Sequence, residues 1–194
     1  MIYEADIKDV TDFLQGEAIP FYVHSGVALV LHGIAGETDD FDLRVFHKDL
    51  SQLCEKLTKL KLGTVKLRRF MSYDGGAYES QCVEIVGRTA IDICSRMQFN
   101  NDLGSFEFPY EERLFRESVP KKFGDLVLPT ARLETLMLYY LSLRRGESDG
   151  KQDERQIRAI MSHKDFDETA FRQKAEYLPI KESLLKLYEE RKDK

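Results

Sequence analysis

Ser25-Gly26-Val27-Ala28-Leu29-Val30-Leu31-His32-Gly33-Ile34-Ala35-Gly36-Glu37-Thr38-Asp39-Asp40-Phe41-Asp42-Leu43 is the stretch on which the reading of this chain turns. Val27 to His32 is an apolar run bounded by Gly26 and Gly33, the pattern of a short buried helix packed tightly against its neighbours. Phe41 to Phe46 then alternates, with Phe41, Leu43 and Val45 on one face and Asp42 and Arg44 on the other, which predicts a strand. Between helix and strand lie Thr38 and the first of two carboxylates spaced two apart, Asp40 and Asp42.

Side chains two apart in a strand share a face, roughly 6.6 Å apart along the chain. Asp40 and Asp42 can therefore reach one hard cation. Magnesium takes oxygen ligands and commonly binds through one or two carboxylates plus substrate phosphates. The Gly26 turn offers backbone N–H groups at a helix start, where unpaired donors and the dipole favour phosphate. A third carboxylate would admit a second metal and activate an attacking hydroxyl. Asp92, in Thr89-Ala90-Ile91-Asp92-Ile93-Cys94, is the candidate: a lone acid in an apolar strand is costly to bury without a cation or hydrogen-bond partners. Taken singly, each piece has a plainer reading. Asp39-Asp40-Phe41-Asp42 also fits a solvated turn entering a strand, and Asp92 fits a half-exposed strand residue.

The order of these parts resembles the nucleotidyltransferase superfamily (the DNA polymerase beta-like fold), especially its small bacterial and archaeal members, toxin-type ones included. Their pattern is a Gly-Gly or Gly-Ser turn, a helix ending in an apolar residue followed by His-Gly, a threonine, then Asp-x-Asp. Here the matching residues are Ser25-Gly26, Ala28, His32-Gly33, Thr38 and Asp40-Phe41-Asp42. The resemblance covers most of residues 20 to 163. It implies an α+β fold with a mixed sheet flanked by helices and a helical C-terminal part. It also implies that Asp40, Asp42 and Asp92 hold magnesium, or manganese in its place, and that Ser25, Gly26 and Thr38 lie against a nucleoside triphosphate. Lys151, just before Asp153, falls near the family's Lys-Asp pair and is a candidate to neutralise phosphate charge; its plainer reading is a solvated loop lysine. Two positions depart from the pattern: Ser25 replaces the first glycine, and Gly36 stands where many relatives carry arginine.

The implied activity is transfer of a nucleoside monophosphate from a nucleoside triphosphate to an acceptor hydroxyl on RNA (a tRNA end), a protein or a small molecule. The alternative is a non-catalytic nucleotide-binding module that keeps the fold, consistent with Ser25 and Gly36. A third reading is a structural protein with a chance Asp-x-Asp.

Outward from this segment, Asp6 to Leu14 has helical spacing, Ile19 to Val23 can begin a strand, and Asp49 to Leu62 returns to helical spacing. Val65 to Phe70, Gln81 to Val86 and Thr89 to Cys94 read as strands, with weaker candidates at Phe115 to Pro120 and Asp125 to Leu128. After Pro129 the character becomes helical: Ala131 to Arg144, with Thr130 as candidate cap, then Asp153 to His163, Glu168 to Tyr177 and Ile180 to Arg191. The expected division is an α+β domain over 1–129 and a helical region over 130–194.

The 194 residues are 42% apolar and 32% charged, the composition of a folded globular chain. No apolar run approaches the 18 residues of a membrane span, and the acidic start Met1-Ile2-Tyr3-Glu4-Ala5-Asp6 lacks a signal core. The expected location is therefore the cytoplasm. A net charge of -5 argues against non-specific coating of nucleic acid, though a local basic patch would still serve RNA. Cys54, Cys82 and Cys94 form no Cys-x-x-Cys pair and read as buried free thiols. His24 and His32 read as structural, and Tyr139 and Tyr140 as helix core. Lys59-Leu60-Lys61 and Lys66-Leu67-Arg68-Arg69 concentrate positive charge that can steer a polyanionic acceptor, or simply mark a solvated helix end and strand edge. Tyr110 to Arg116 reads as a loop able to cover a cleft.

Overall fold

Alternation at Phe41 to Phe46 becomes strand β2 (Asp40–Val45), and the apolar run before it becomes helix α2 (Ser25–Leu31). The computed structural model describes residues 2–73, 76–145 and 153–192. Its remaining elements are α1 (Glu4–Gly16), β1 (Phe21–Val23), α3 (Leu50–Thr58), β3 (Gly63–Tyr73), β4 (Gly76–Gly87), β5 (Ala90–Asn101) and β6 (Gly104–Glu107). They continue with α4 (Glu112–Arg116), β7 (Val119–Phe123), β8 (Leu126–Thr130), α5 (Leu133–Leu143), α6 (Asp153–Met161), α7 (Glu168–Ala175) and α8 (Lys181–Lys192). This is the expected α+β class, with helices flanking a mixed sheet and a helical C-terminal part. Among the described residues, no helix is long and apolar enough to cross a membrane.

Two compact units divide the chain, and neither is contiguous. The first is Met1–Arg69, Ser80–Ser95 and Tyr110–Ala131; the second is Phe70–Glu79, Arg96–Pro109 and Arg132–Lys194. In the first, the strand order is β3-β4-β5-β2-β1-β8-β7. β2 runs parallel to β5 and β1 parallel to β8, while β1 pairs β2, and β7 pairs β8, in antiparallel fashion. Val23, Phe41, Leu43, Val45, Ile91 and Ile93 are buried on this sheet, and Val27, Ala28 and Leu29 bury the face of α2. Burying each of the larger side chains contributes roughly 1.5–3 kcal/mol, and this holds the start of α2 in place. Its other end is closed by a paired hydrogen-bond motif. Gly33 N–H donates to the Val30 carbonyl (2.9 Å) and Ile34 N–H to that of Leu29 (2.8 Å), with Gly33 at φ +75°. That left-handed turn explains the glycine after His32.

In the second unit α5 is buried along its whole length and packs against α6, α7 and α8. Leu136, Leu138, Tyr139, Tyr140 and Leu141 are core, as their spacing predicts. β6, which pairs antiparallel with the far end of β5, carries no clear periodic signal in the sequence.

Three local expectations fail for tertiary reasons. Thr130 does not cap α5: it ends β8, in register with Val119 and Val23, and the helix starts after Arg132. Phe115 belongs to α4 instead of a strand, because its ring packs on Tyr22 (centroids 4.8 Å apart) and Phe46 (5.5 Å). For the same reason Tyr110 to Arg116 is no loose loop. Leu114 and Phe115 are buried, and the Tyr110 hydroxyl donates to the His47 carbonyl at 2.8 Å. All three cysteines are free thiols. Cys82 and Cys94 are buried and Cys54 is half-buried on α3.

Candidate active site

Parallel pairing of β2 with β5 sets Asp42 directly opposite Asp92, with Asp40 opposite Ala90. Asp40, Asp42 and Asp92 thus lie on one face of two neighbouring strands. One carboxylate oxygen from each falls within 4.8 Å of the others, and all three side chains are half-buried. The three acids singled out from sequence come together. Three oxygen donors at this spacing, open on one side to solvent, fit a hard divalent cation that keeps other positions for phosphate or water.

Thr38 links this cluster to the turn. Its hydroxyl lies 3.2 Å from Asp40 Oδ1, as donor to it, and fixes that carboxylate. On its other side, a Cβ built on Gly26 would sit 3.1 Å from Thr38 Oγ1, so a larger residue there would press on the Thr38 hydroxyl that contacts Asp40. Ser25 begins α2 at φ +54°, a left-handed conformation that favours the glycine of the family pattern. Its Oγ lies 3.2 Å from His24 Nδ1. Gly36 faces open space, so nothing crowds out a larger side chain there. Lys151 lies outside the described residues.

Two arginines on the strands that carry or flank the cluster have defined partners. Arg44, read from sequence as part of a polar strand face, is 1% exposed. It donates to the Ser95 carbonyl (3.2 Å) and contacts the Tyr22 hydroxyl (3.5 Å). Burial, then the Arg44 charge, holds the His24 imidazole well below its ordinary pKa and therefore neutral. Arg68, on β3, donates to Asp92 Oδ2 at 2.5 Å and lies 3.9 Å from Glu84 on β4. Burial pushes the Asp92 carboxyl above its ordinary pKa. Arg68 pulls it down, and Glu84 and Asp40 push it up. The sequence places Arg68 in a basic stretch but carries no signal for its partner, because the pairing of β3, β4 and β5 is a long-range property. His32, read as structural, donates from Nε2 to the Ala131 carbonyl at 2.8 Å, since a carbonyl can only accept.

No protein-family model matches this sequence, and no curated protein matches it either. Among solved structures it resembles TM1012 from Thermotoga maritima, assigned as a nucleotidyltransferase. The TM-score is 0.52 at 19% identity, over 74% of this chain and 87% of that one. A lincomycin-bound lincosamide antibiotic adenylyltransferase, LnuA, aligns at a TM-score of 0.48 and 13% identity, over 83% of this chain and 98% of that one. The strand order that sets Asp42 beside Asp92, and the likeness to the Thermotoga protein over most of its length, give this chain a nucleotidyltransferase-type fold.

Proposed function

We propose that the protein is a metal-dependent nucleotidyltransferase that moves a nucleoside monophosphate from a nucleoside triphosphate to an acceptor hydroxyl. The observation that carries this is the convergence of the Asp40, Asp42 and Asp92 oxygens within 4.8 Å, beside Thr38 and the Gly26 turn. Asp40 and Asp42 hold magnesium, or manganese, with Asp92 as third carboxylate. When bound, such a cation neutralises the triphosphate and favours ionisation of the attacking hydroxyl. Thr38 keeps the Asp40 carboxylate aimed at the cluster. The Ser25 and Gly26 amides, at the start of α2, donate to phosphate oxygens. Lys151 is a further candidate for phosphate charge.

The acceptor oxygen forms a bond to the α-phosphorus, the bond from that phosphorus to the bridging oxygen breaks, and pyrophosphate leaves with the electron pair. Asp92 orients the cation or takes the hydroxyl proton. In-line positioning and charge neutralisation supply the rate, with no covalent enzyme intermediate. The proposed setting is the cytoplasm, where nucleoside triphosphates are at hand.

Incubation with each α-labelled nucleoside triphosphate, magnesium and a cell extract tests the reading. Label is expected in an RNA, protein or small-molecule fraction, and its location names the acceptor class. Asp40→Asn and Asp42→Asn are expected to fold and to lower transfer by about a thousandfold, since a catalytic metal is worth several kcal/mol. Full transfer by either variant would remove the metal assignment. The Arg68–Asp92 pair favours a second reading, a nucleotide-binding module without turnover. Metal-dependent nucleotide binding with no label transfer in any extract would select it.

A further inference from the structure

Arg68 takes up Asp92, one of the three carboxylates just assigned to a divalent cation. β4 lies between β3 and β5 in the sheet, so Arg68 reaches across a whole strand, about 10 Å at ordinary strand spacing, to meet Asp92 Oδ2 at 2.5 Å. Lys66, on the same strand face two residues earlier, stops at Glu84 on the intervening strand, 3.4 Å away. Glu84 also lies 3.9 Å from Arg68 Nη1, so Arg68 has a second carboxylate within reach if it leaves the first. Its side chain is 31% exposed and has solvent to move into.

The Arg68 guanidinium, through its Nη2–Oδ2 hydrogen bond, and a hard divalent cation compete for the Asp92 carboxylate. Their charges also repel at this range, and screening is weak because Asp92 is only 17% exposed. We propose that Arg68 is the resident counter-cation of Asp92 and competes with the divalent metal there, so that the three-carboxylate site is complete only when the Arg68–Asp92 pair opens toward Glu84. This rests on the metal reading above. It assigns Arg68 a positioning role on the carboxylate, separate from any contact with substrate.

Direct titration with Mn2+, followed by the loss of its free paramagnetic resonance signal, tests this without turnover. Arg68→Gln is expected to bind Mn2+ about tenfold more tightly than the wild-type protein, while Lys66→Gln, which removes an equal charge two residues away on β3 that is paired with Glu84, stays within twofold. Arg68→Lys, which keeps the charge on a shorter side chain, should fall between and carries the test if the glutamine variant does not fold. Unchanged or weaker binding in the Arg68 variants, with wild-type binding still abolished by Asp42→Asn, overturns the competition and leaves the metal site standing. Equal tightening by Lys66→Gln also overturns it, since the effect is then general charge. Absence of Mn2+ binding in every variant removes the metal reading itself, and the competition with it.

Discussion

Ser25 is where the local chemistry is most exposed to test. A non-glycine residue at φ +54° costs roughly 1–2 kcal/mol, and the hydroxyl contact with His24 offsets part of that. Ser25→Gly relieves the strain but adds flexibility to the unfolded chain, a cost of about 0.4–1 kcal/mol. The two nearly cancel, so the glycine variant should be at least as stable as the wild type. Ser25→Val, with a β-branched side chain forced into the same conformation, should lose about 1–2 kcal/mol in urea unfolding. Equal stability of the valine variant would show that the turn is not held left-handed. The carboxylates behave differently. Without metal, Asp40, Asp42 and Asp92 repel one another, so Asp40→Asn and Asp42→Asn should melt at the same temperature or higher while losing transfer. A variant that melts lower would place its carboxylate in the scaffold instead.

Helix α5, buried on all sides, organises the second unit, and its polar contacts are specific. Glu134, 2% exposed, accepts the Asp167 N–H at 3.0 Å, and Asp167 in turn caps α7 through Ala170 N–H. Just beyond α5, Arg145 grips Asp153 at the start of α6 with two hydrogen bonds, Nε to Oδ2 at 2.9 Å and Nη2 to Oδ1 at 2.8 Å. Asp153 is 4% exposed, so removing it strands a guanidinium in a poorly solvated place. Asp153→Ala should therefore cost about 3 kcal/mol, the low end for a broken buried pair because Arg145 keeps some solvent. Urea midpoints check this; a loss under about 1 kcal/mol would mark the pair as a surface contact. α3 and α7 carry ordinary aspartate caps, Asp49 to Gln52 N–H and Asp167 to Ala170 N–H, both at 3.0 Å.

Acid stability is read on the whole molecule. Lys192 and Arg172, with the Tyr188 hydroxyl, hold the Glu168 carboxyl at about 2 against an ordinary 4.5. The unfolded chain therefore takes up this proton first as pH falls. The stabilisation is complete above 4.5 and is lost progressively toward about 2. The stability gap between wild type and Glu168→Gln should be widest at neutral pH and close across that window; a gap independent of pH would exclude the ionised pair as its source. Much of the fold was legible because it is periodic: α1, α2, α3, the strand at Phe41 and the C-terminal helices follow from apolar spacing within a few residues. The elements that resisted reading, β6, α4 and the true start of α5, are short and are fixed by partners far along the chain. The same division holds at the site. By itself the sequence determined the residue types and local spacing, Asp40 and Asp42 on one strand face, a glycine turn before them and a solitary acid at Asp92, because these are short-range properties. Only the tertiary structure decided that β2 lies parallel to β5, so that Asp42 meets Asp92, that Arg44 is buried, and that Arg68 crosses β4 to hold Asp92. Strand order and register arise from the packing of the whole sheet, and no local pattern encodes them.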